Sequence, residues 1–217
     1  LGARPSESGL SAPLRRGLYA ITRQGPHPPG ALESAVSAAL DGGAVAIQYR
    51  DKSEDQARRR KEAAALKALC AARGVPLIVN DDVQLAASVS ADGVHLGRDD
   101  PELQKARDRL GSEAIIGVSC YASLDRALAA ERAGADYVAF GRFFPSATKP
   151  GASPCPLSVL ETARDRLGIP LAAIGGINAD NGLALVNAGA DLLAVIEAVF
   201  GQSDVRTAAA RISGLFA

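Results

Sequence analysis

One rhythm constrains this chain more than any other feature. Short β-rich runs recur eight times: GLYAIT (17–22), AVAIQYR (44–50), PLIVND (76–81), GVHLG (93–97), IIGVSC (115–120), YVAFGR (137–142), PLAAIGG (170–176) and LLAVIEA (192–198). Between them lie Ala-, Leu- and Arg-rich stretches with apolar residues at helical spacing. ALESAVSAALDGG stops at Gly42-Gly43, EDQARRRKEAAALKALCAARG stops at Gly74, and SLDRALAAERAGA and NADNGLALVNAGA also close on glycine. Strand alternating with helix implies a parallel sheet, either doubly wound or closed. Eight units within about 200 residues favour the closed (β/α)8 TIM barrel. No G-x-G-x-x-G follows the first strand, which weakens a dinucleotide-binding reading. The recurring SADGVHLG, GADYVAFG and GADLLAVI segments read as stacked modules of one ring. Residues 1–16 read as a disordered tail and 17–217 as a single catalytic domain.

In such a barrel the chemistry collects at the C-terminal ends of the strands. Those ends carry Gln48-Tyr49-Arg50-Asp51-Lys52, Asn80-Asp81-Asp82, Gly97-Arg98-Asp99-Asp100, Ser119-Cys120, the loop with Ser146, Thr148 and Lys149, Gly175-Gly176, and Ile196-Glu197. Only five lysines occur, and Lys52 and Lys149 both fall here. Lys61, Lys67 and Lys105 lie in helical stretches, and the RRRK run (58–61) reads as a solvated helix face. Cations, carboxylates, hydroxyls and a Gly-Gly turn on one face describe an anion site that includes a divalent ion. The simplest occupant is a diphosphate held through Mg2+, which is usually bound by one or two carboxylates plus phosphate oxygens. Without the ion, each carboxylate–phosphate charge pair at ~4 Å would repel by about 4 kcal/mol near a protein surface. The Gly-Gly turn, where backbone N–H groups can approach a ligand, implies a second anion site.

What is missing narrows the chemistry further. His27 lies in a Pro-rich loop, and His95, between Val94 and Leu96, reads as a core histidine. No Ser-His-Asp or Cys-His arrangement can be assembled, and no lysine lies within a strand for a Schiff base. The site reads as one that holds charge while a bond breaks. Equal numbers of basic and acidic residues, 24 each, suggest neither a nucleic-acid surface nor a membrane patch. No apolar run approaches the ~20 residues of a membrane helix. Three cysteines without close pairing fit a reducing compartment, the cytoplasm. Cys120 reads as a small buried apolar residue. The chain contains no Met, so its natural start is expected to lie elsewhere. The partners expected are small phosphorylated molecules, and the sequence leaves the oligomeric state open, a homo-oligomer included.

The segments QYRDK (48–52), IVNDD (78–82), ADGVHLGRDD (91–100), IGVSC (116–120), FGRFFPSATKPG (140–151), AIGGI (173–177) and NAGADLLAVIEAVF (187–200) together resemble the thiamine-phosphate synthase family. The resemblance runs from Gly17 onward. It implies an enzyme that joins 4-amino-5-hydroxymethyl-2-methylpyrimidine diphosphate to a thiazole phosphate. Diphosphate would leave and expose a pyrimidine methylene cation, which the thiazole nitrogen captures. Carried over by position, Gln48, Arg50, Lys52, Asn80, Ser119 and Lys149 would hold the pyrimidine diphosphate, with Tyr49 and Asp51 of the same run. Lys149, Ser119, Arg50 and Lys52 would act on the departing group. Asp81 and Asp100 would bind Mg2+. Ser146, Ala147, Thr148, Gly176, Ile196 and Glu197 would line the thiazole-phosphate site.

Two positions depart from the family pattern. Ser146 stands where Thr is frequent, and Glu197 stands where Ser is frequent. A carboxylate beside a phosphate is unfavourable, so the Glu197 side chain is expected to turn away and leave the contact to its backbone N–H. Two rivals carry different chemistry: a thiazole tautomerase, which would not need Lys52, Asp81, Asp100 and Lys149 together, and a non-catalytic thiazole-phosphate binder, which only Glu197 favours.

Overall fold

Strand and helix alternate along the whole of the computed structural model, which describes residues 14–97, 102–145 and 154–217. The order is β1 (Gly17–Ile21), α1 (Ala31–Asp41), β2 (Ala44–Tyr49), α2 (Gln56–Ala71), β3 (Leu77–Asn80), α3 (Val83–Ser88), β4 (Gly93–Leu96), α4 (Leu103–Leu110) and β5 (Ile115–Tyr121). It continues with α5 (Leu124–Arg132), β6 (Tyr137–Gly141), α6 (Leu157–Arg166), β7 (Leu171–Ile174), α7 (Gly182–Asn187), β8 (Leu192–Val195), α8 (Glu197–Phe200) and α9 (Val205–Ser213). Each strand pairs in parallel with the next, and β1 with β8, so the sheet closes as a barrel. The fold is the expected TIM barrel. The last strand stops at Val195, earlier than the sequence suggests, because the chain turns at Ile196 into α8.

The strands are apolar on both faces because both faces are covered. Leu18, Ile47, Leu77, Val79, Val94, Ile116, Val138, Leu171 and Leu193 pack outward against the helices. Tyr19, Ile21, Ala46, Ile78, Ile115, Tyr137, Ala139, Ala172, Leu192 and Ala194 fill the interior. Alternation therefore decides which residue of each strand end can reach the cavity. Of residues 14–16, read from the sequence as tail, Leu14 and Arg16 touch the barrel. Leu14 packs on the interior cluster, and Arg16 approaches Asp191 to 3.6 Å.

The opposite end of the barrel carries a repeated bridge, built from the aspartate of each SAD or GAD segment. Asp92, just before β4, accepts the Leu77 N–H at the start of β3 (2.8 Å) and Lys67 Nζ from α2 (2.6 Å). Asp136, just before β6, accepts the Ile116 N–H of β5 (2.7 Å) and Arg107 Nη2 from α4 (2.7 Å). Asp191, just before β8, accepts the Leu171 N–H of β7 (3.0 Å) and Arg164 Nη1 from α6 (2.7 Å).

The RRRK run is not a solvated face throughout. Arg59 is 8% exposed and bridges to Asp82 at 2.8 Å. Arg58 reaches Asp51 at 2.8 Å. Arginine stems bury readily when the guanidinium meets a carboxylate, and here two of them tie α2 to the loops after β2 and β3.

Candidate active site

A cavity of about 770 Å3 opens at the C-terminal ends of the strands. Its wall includes the candidates Gln48, Arg50, Lys52, Asn80, Asp81, Ser119, Gly176, Ile196 and Glu197, from the ends of β2, β3, β5, β7 and β8, together with His95 of β4, which the sequence reads as a core histidine. Arg98, Asp99, Asp100, Ser146, Ala147, Thr148 and Lys149 lie outside the described residues.

The β2 end divides by alternation. Gln48 and Arg50 face the cavity. Tyr49, expected among the pyrimidine-diphosphate ligands, points the other way: it is 2% exposed in the outer core and donates its hydroxyl to Glu62 Oε2 at 2.7 Å. Asp51, expected beside it, is 5% exposed, accepts the Ser53 N–H at 2.8 Å and faces Arg58. The Tyr49 side chain lies outside the cavity wall, as the period of two dictates, and Asp51 lines a smaller pocket with Lys52, Ser53, Asn80 and Asp81.

At the β3 end, Asp81 has φ 62, a left-handed conformation uncommon outside glycine. Its N–H donates to the His95 carbonyl at 2.8 Å, and the next N–H, of Asp82, turns back to the Asn80 carbonyl at 2.7 Å. This tight turn presents the Asp81 carboxylate at the mouth, 2.8 Å from Lys52 Nζ. Asp82 caps α3 through the Leu85 N–H at 2.8 Å. At the β3 end Asp82 is turned to its cap and to Arg59, while the Asp81 carboxylate lines the cavity beside Lys52, within reach of a metal bound there. Its oxygen donors suit a hard cation such as Mg2+, and no group of three or more His, Cys, Asp or Glu forms among the described residues.

Across the cavity, Gly175 and Gly176 have φ 105 and 65. A Cβ on Gly175 would lie 2.3 Å from Arg142 Cβ, and one on Gly176 would lie 2.3 Å from the Pro145 carbonyl oxygen. Only glycine lets β7 end under the loop that leaves β6. Glu197 lines the cavity at the start of α8, with its carboxylate 3.1 Å from Arg23 Nε. Arg126 of α5 joins the ends of β4 and β5 by donating to the Gly97 and Ser119 carbonyls (3.1 and 2.8 Å).

The strand-end list passes over the floor of the cavity. There Tyr19, Tyr137 and His95 form a buried polar cluster with Gln48 and Ser119. The signal was present as polar side chains at inward positions of otherwise apolar strands. Burial drives the His95 imidazolium down to about 4, so the ring is neutral. Burial pushes the thiols of Cys70 and Cys120 up to about 12, and that of Cys155 to about 11, consistent with unreactive core positions.

The family model for thiamine monophosphate synthase matches residues 18–199. A thiamine-phosphate synthase of Thiobacillus denitrificans is 54% identical over 201 residues, covering 93% of this chain and 95% of that protein. One from Nitrosococcus oceani is 53% identical over 195 residues, covering 90% of each. The solved thiamine phosphate pyrophosphorylase of Pyrococcus furiosus superposes with a TM-score of 0.83 at 37% identity, covering 93% of this chain and 96% of that one. A (S)-3-O-geranylgeranylglyceryl phosphate synthase from Thermoplasma acidophilum, 18% identical with a TM-score of 0.70, shares the fold alone. The chain belongs to the thiamine monophosphate synthase family, enzymes of thiamine biosynthesis.

Proposed function

We propose that this enzyme condenses 4-amino-5-hydroxymethyl-2-methylpyrimidine diphosphate with a thiazole phosphate, giving thiamine monophosphate and diphosphate. The observation that carries this reading is the meeting of Arg50, Lys52, Asn80 and Asp81 at one side of the cavity, opposite Gly176, Ile196 and Glu197. One side is suited to a metal-bound diphosphate and the other to a second phosphate.

The methylene C–O bond breaks with its electron pair leaving on diphosphate, and the thiazole nitrogen then donates its pair to the methylene carbon. Arg50, Lys52 and Lys149 meet the charge that grows on the departing oxygen, so they act most strongly in the transition state. Asn80 and Ser119 orient the diphosphate by hydrogen bonds, and Gln48 holds the pyrimidine. Asp81, with Asp100, would hold Mg2+, which when bound offsets the charge of the diphosphate. Before that, Lys52 keeps the Asp81 carboxylate compensated. Ser146, Ala147, Thr148, Gly176 and Ile196 would receive the thiazole phosphate. Pairing with Arg23 keeps the Glu197 carboxylate neutralised at that rim. Three free, buried cysteines fit a reducing, cytoplasmic setting.

The test is incubation of the purified protein with both substrates and Mg2+. Diphosphate release coupled to thiamine monophosphate is expected. Rearrangement of the thiazole phosphate alone would favour a tautomerase, and binding without turnover would favour a non-catalytic binder. Either outcome would overturn the proposal.

A further inference from the structure

The floor of the cavity holds five polar side chains in an unbroken line. Gln48 Nε2 donates to the Tyr19 hydroxyl at 2.7 Å. The Tyr19 and Tyr137 hydroxyls are 2.8 Å apart. The Tyr137 hydroxyl is 2.9 Å from His95 Nδ1, and His95 Nε2 is 2.8 Å from Ser119 Oγ. The rings themselves pack edge-to-face between Tyr19 and Tyr137 and stacked between Tyr137 and His95. Gly117 makes this possible, since a Cβ there would lie 2.0 Å from Tyr137 Cζ.

We propose that Tyr19, Tyr137 and His95 are positioning residues that form a one-way hydrogen-bond chain, fixing the Gln48 amide with its carbonyl and second N–H toward the substrate and Ser119 as a donor. A tyrosine hydroxyl has one hydrogen, and a neutral imidazole has one N–H. The imidazole is neutral because it is buried and its two nitrogens meet hydroxyls rather than a carboxylate. Tyr19 accepts from Gln48 and so gives its hydrogen to Tyr137. Tyr137 then gives its own to Nδ1, the His95 proton resides on Nε2, and Nε2–H donates to Ser119. The Ser119 hydrogen is left for the cavity, as are the carbonyl oxygen and the second N–H of Gln48. With every hydroxyl hydrogen engaged in the chain, the donation from Gln48 sets the direction of the other links.

Such chains strengthen their members cooperatively. The site then offers an amide acceptor with an N–H donor beside it at one end of its floor, and a hydroxyl donor at the other. That is the complement of an N-heteroaromatic ring with an exocyclic amine. The same ring with an oxo group in place of the amine would face the Gln48 oxygen with another acceptor. This specificity argument rests on the proposed pyrimidine-diphosphate reading of the cavity.

Two measurements test it. In the ligand-free enzyme, 15N NMR of the imidazoles reads the tautomer, with His95 told from His27, the only other histidine, by the His27→Ala variant. A protonated Nε2 with a bare Nδ1 is expected, and a protonated Nδ1 would overturn the chain's direction whatever the substrate is. In kinetics, Tyr137→Phe breaks the chain while removing one atom, and Tyr19→Phe cuts it one link earlier. Each is expected to reduce the preference for the amino over the oxo pyrimidine diphosphate by about tenfold or more, as leaving a buried polar group unpaired implies. A lower stability with the preference unchanged would reduce these tyrosines to packing and sink the proposal. Failure of the unaltered enzyme to release diphosphate would count against the functional reading, while the tautomer still decides the chain.

Discussion

Replacing Asp81 with glycine and with alanine separates what its backbone costs from what its carboxylate does. The residue has φ 62, where a non-glycine residue costs about 1–2 kcal/mol. Glycine escapes that cost but gives up about 0.5–1 kcal/mol of additional chain entropy on folding. The difference leaves Asp81→Gly more stable than Asp81→Ala by roughly 0.5–1 kcal/mol. Both variants lose the half-exposed pair with Lys52, worth at most about 1 kcal/mol, so that loss cancels between them. For a chain of this size, 1 kcal/mol moves Tm by about 2–4 °C. Thermal unfolding without metal should therefore place Asp81→Gly about 1–4 °C above Asp81→Ala. Assayed with both substrates and Mg2+, neither should turn over. Equal melting temperatures would refute the claim that the turn is held under strain, and wild-type turnover in either variant would refute the metal assignment. Strain kept at a site where a small residue would relieve it is the signature of a position retained for its chemistry.

Three further outcomes are expected. Asp136→Ala strands the Ile116 N–H and the Arg107 guanidinium, so urea unfolding should show a loss of about 2 kcal/mol with kcat unchanged. His95 is neutral when folded, with its imidazolium lowered from 6.5 to about 4, so its contribution is fully present above pH 6.5. As pH falls from 6.5 to 4, the unfolded chain takes up the proton first, and stability should drop by roughly 3 kcal/mol; His95→Gln should lose that part of the pH dependence in the same unfolding series. Lys149→Ala should lower kcat far more than it weakens thiazole-phosphate binding in a direct titration, because the charge it meets grows as the bond breaks. Equal losses would remove it from the leaving group.

The barrel was legible because eight apolar runs and their glycine-stopped helices leave few alternatives, and parallel strands covered on both faces need no polar stripe to be recognised. The site was legible at the strand ends, where Arg50, Lys52, Asn80 and Asp81 are polar against apolar surroundings. The errors have physical causes. Taking QYRDK as a block put Tyr49 in the cavity, although the pleat sends its side chain outward. Arg58 and Arg59 were read as solvated because a carboxylate partner brought from another loop leaves no trace in the local sequence. The Tyr19–Tyr137 hydrogen bond joins residues 118 apart in the chain, and only closure of the ring brings them together.

The aspartate bridges at the far end divide the molecule in a way that bears on how it can change. Each ties a helix to the two strands that follow it, as α2–β3–β4, α4–β5–β6 and α6–β7–β8. The seams between these blocks fall in the segments after β2, β4 and β6, to which the sequence assigns Lys52, Asp100 and Lys149. A graft or a length change at any of those seams leaves every bridge intact, so new substrates can be tried there without dismantling the barrel.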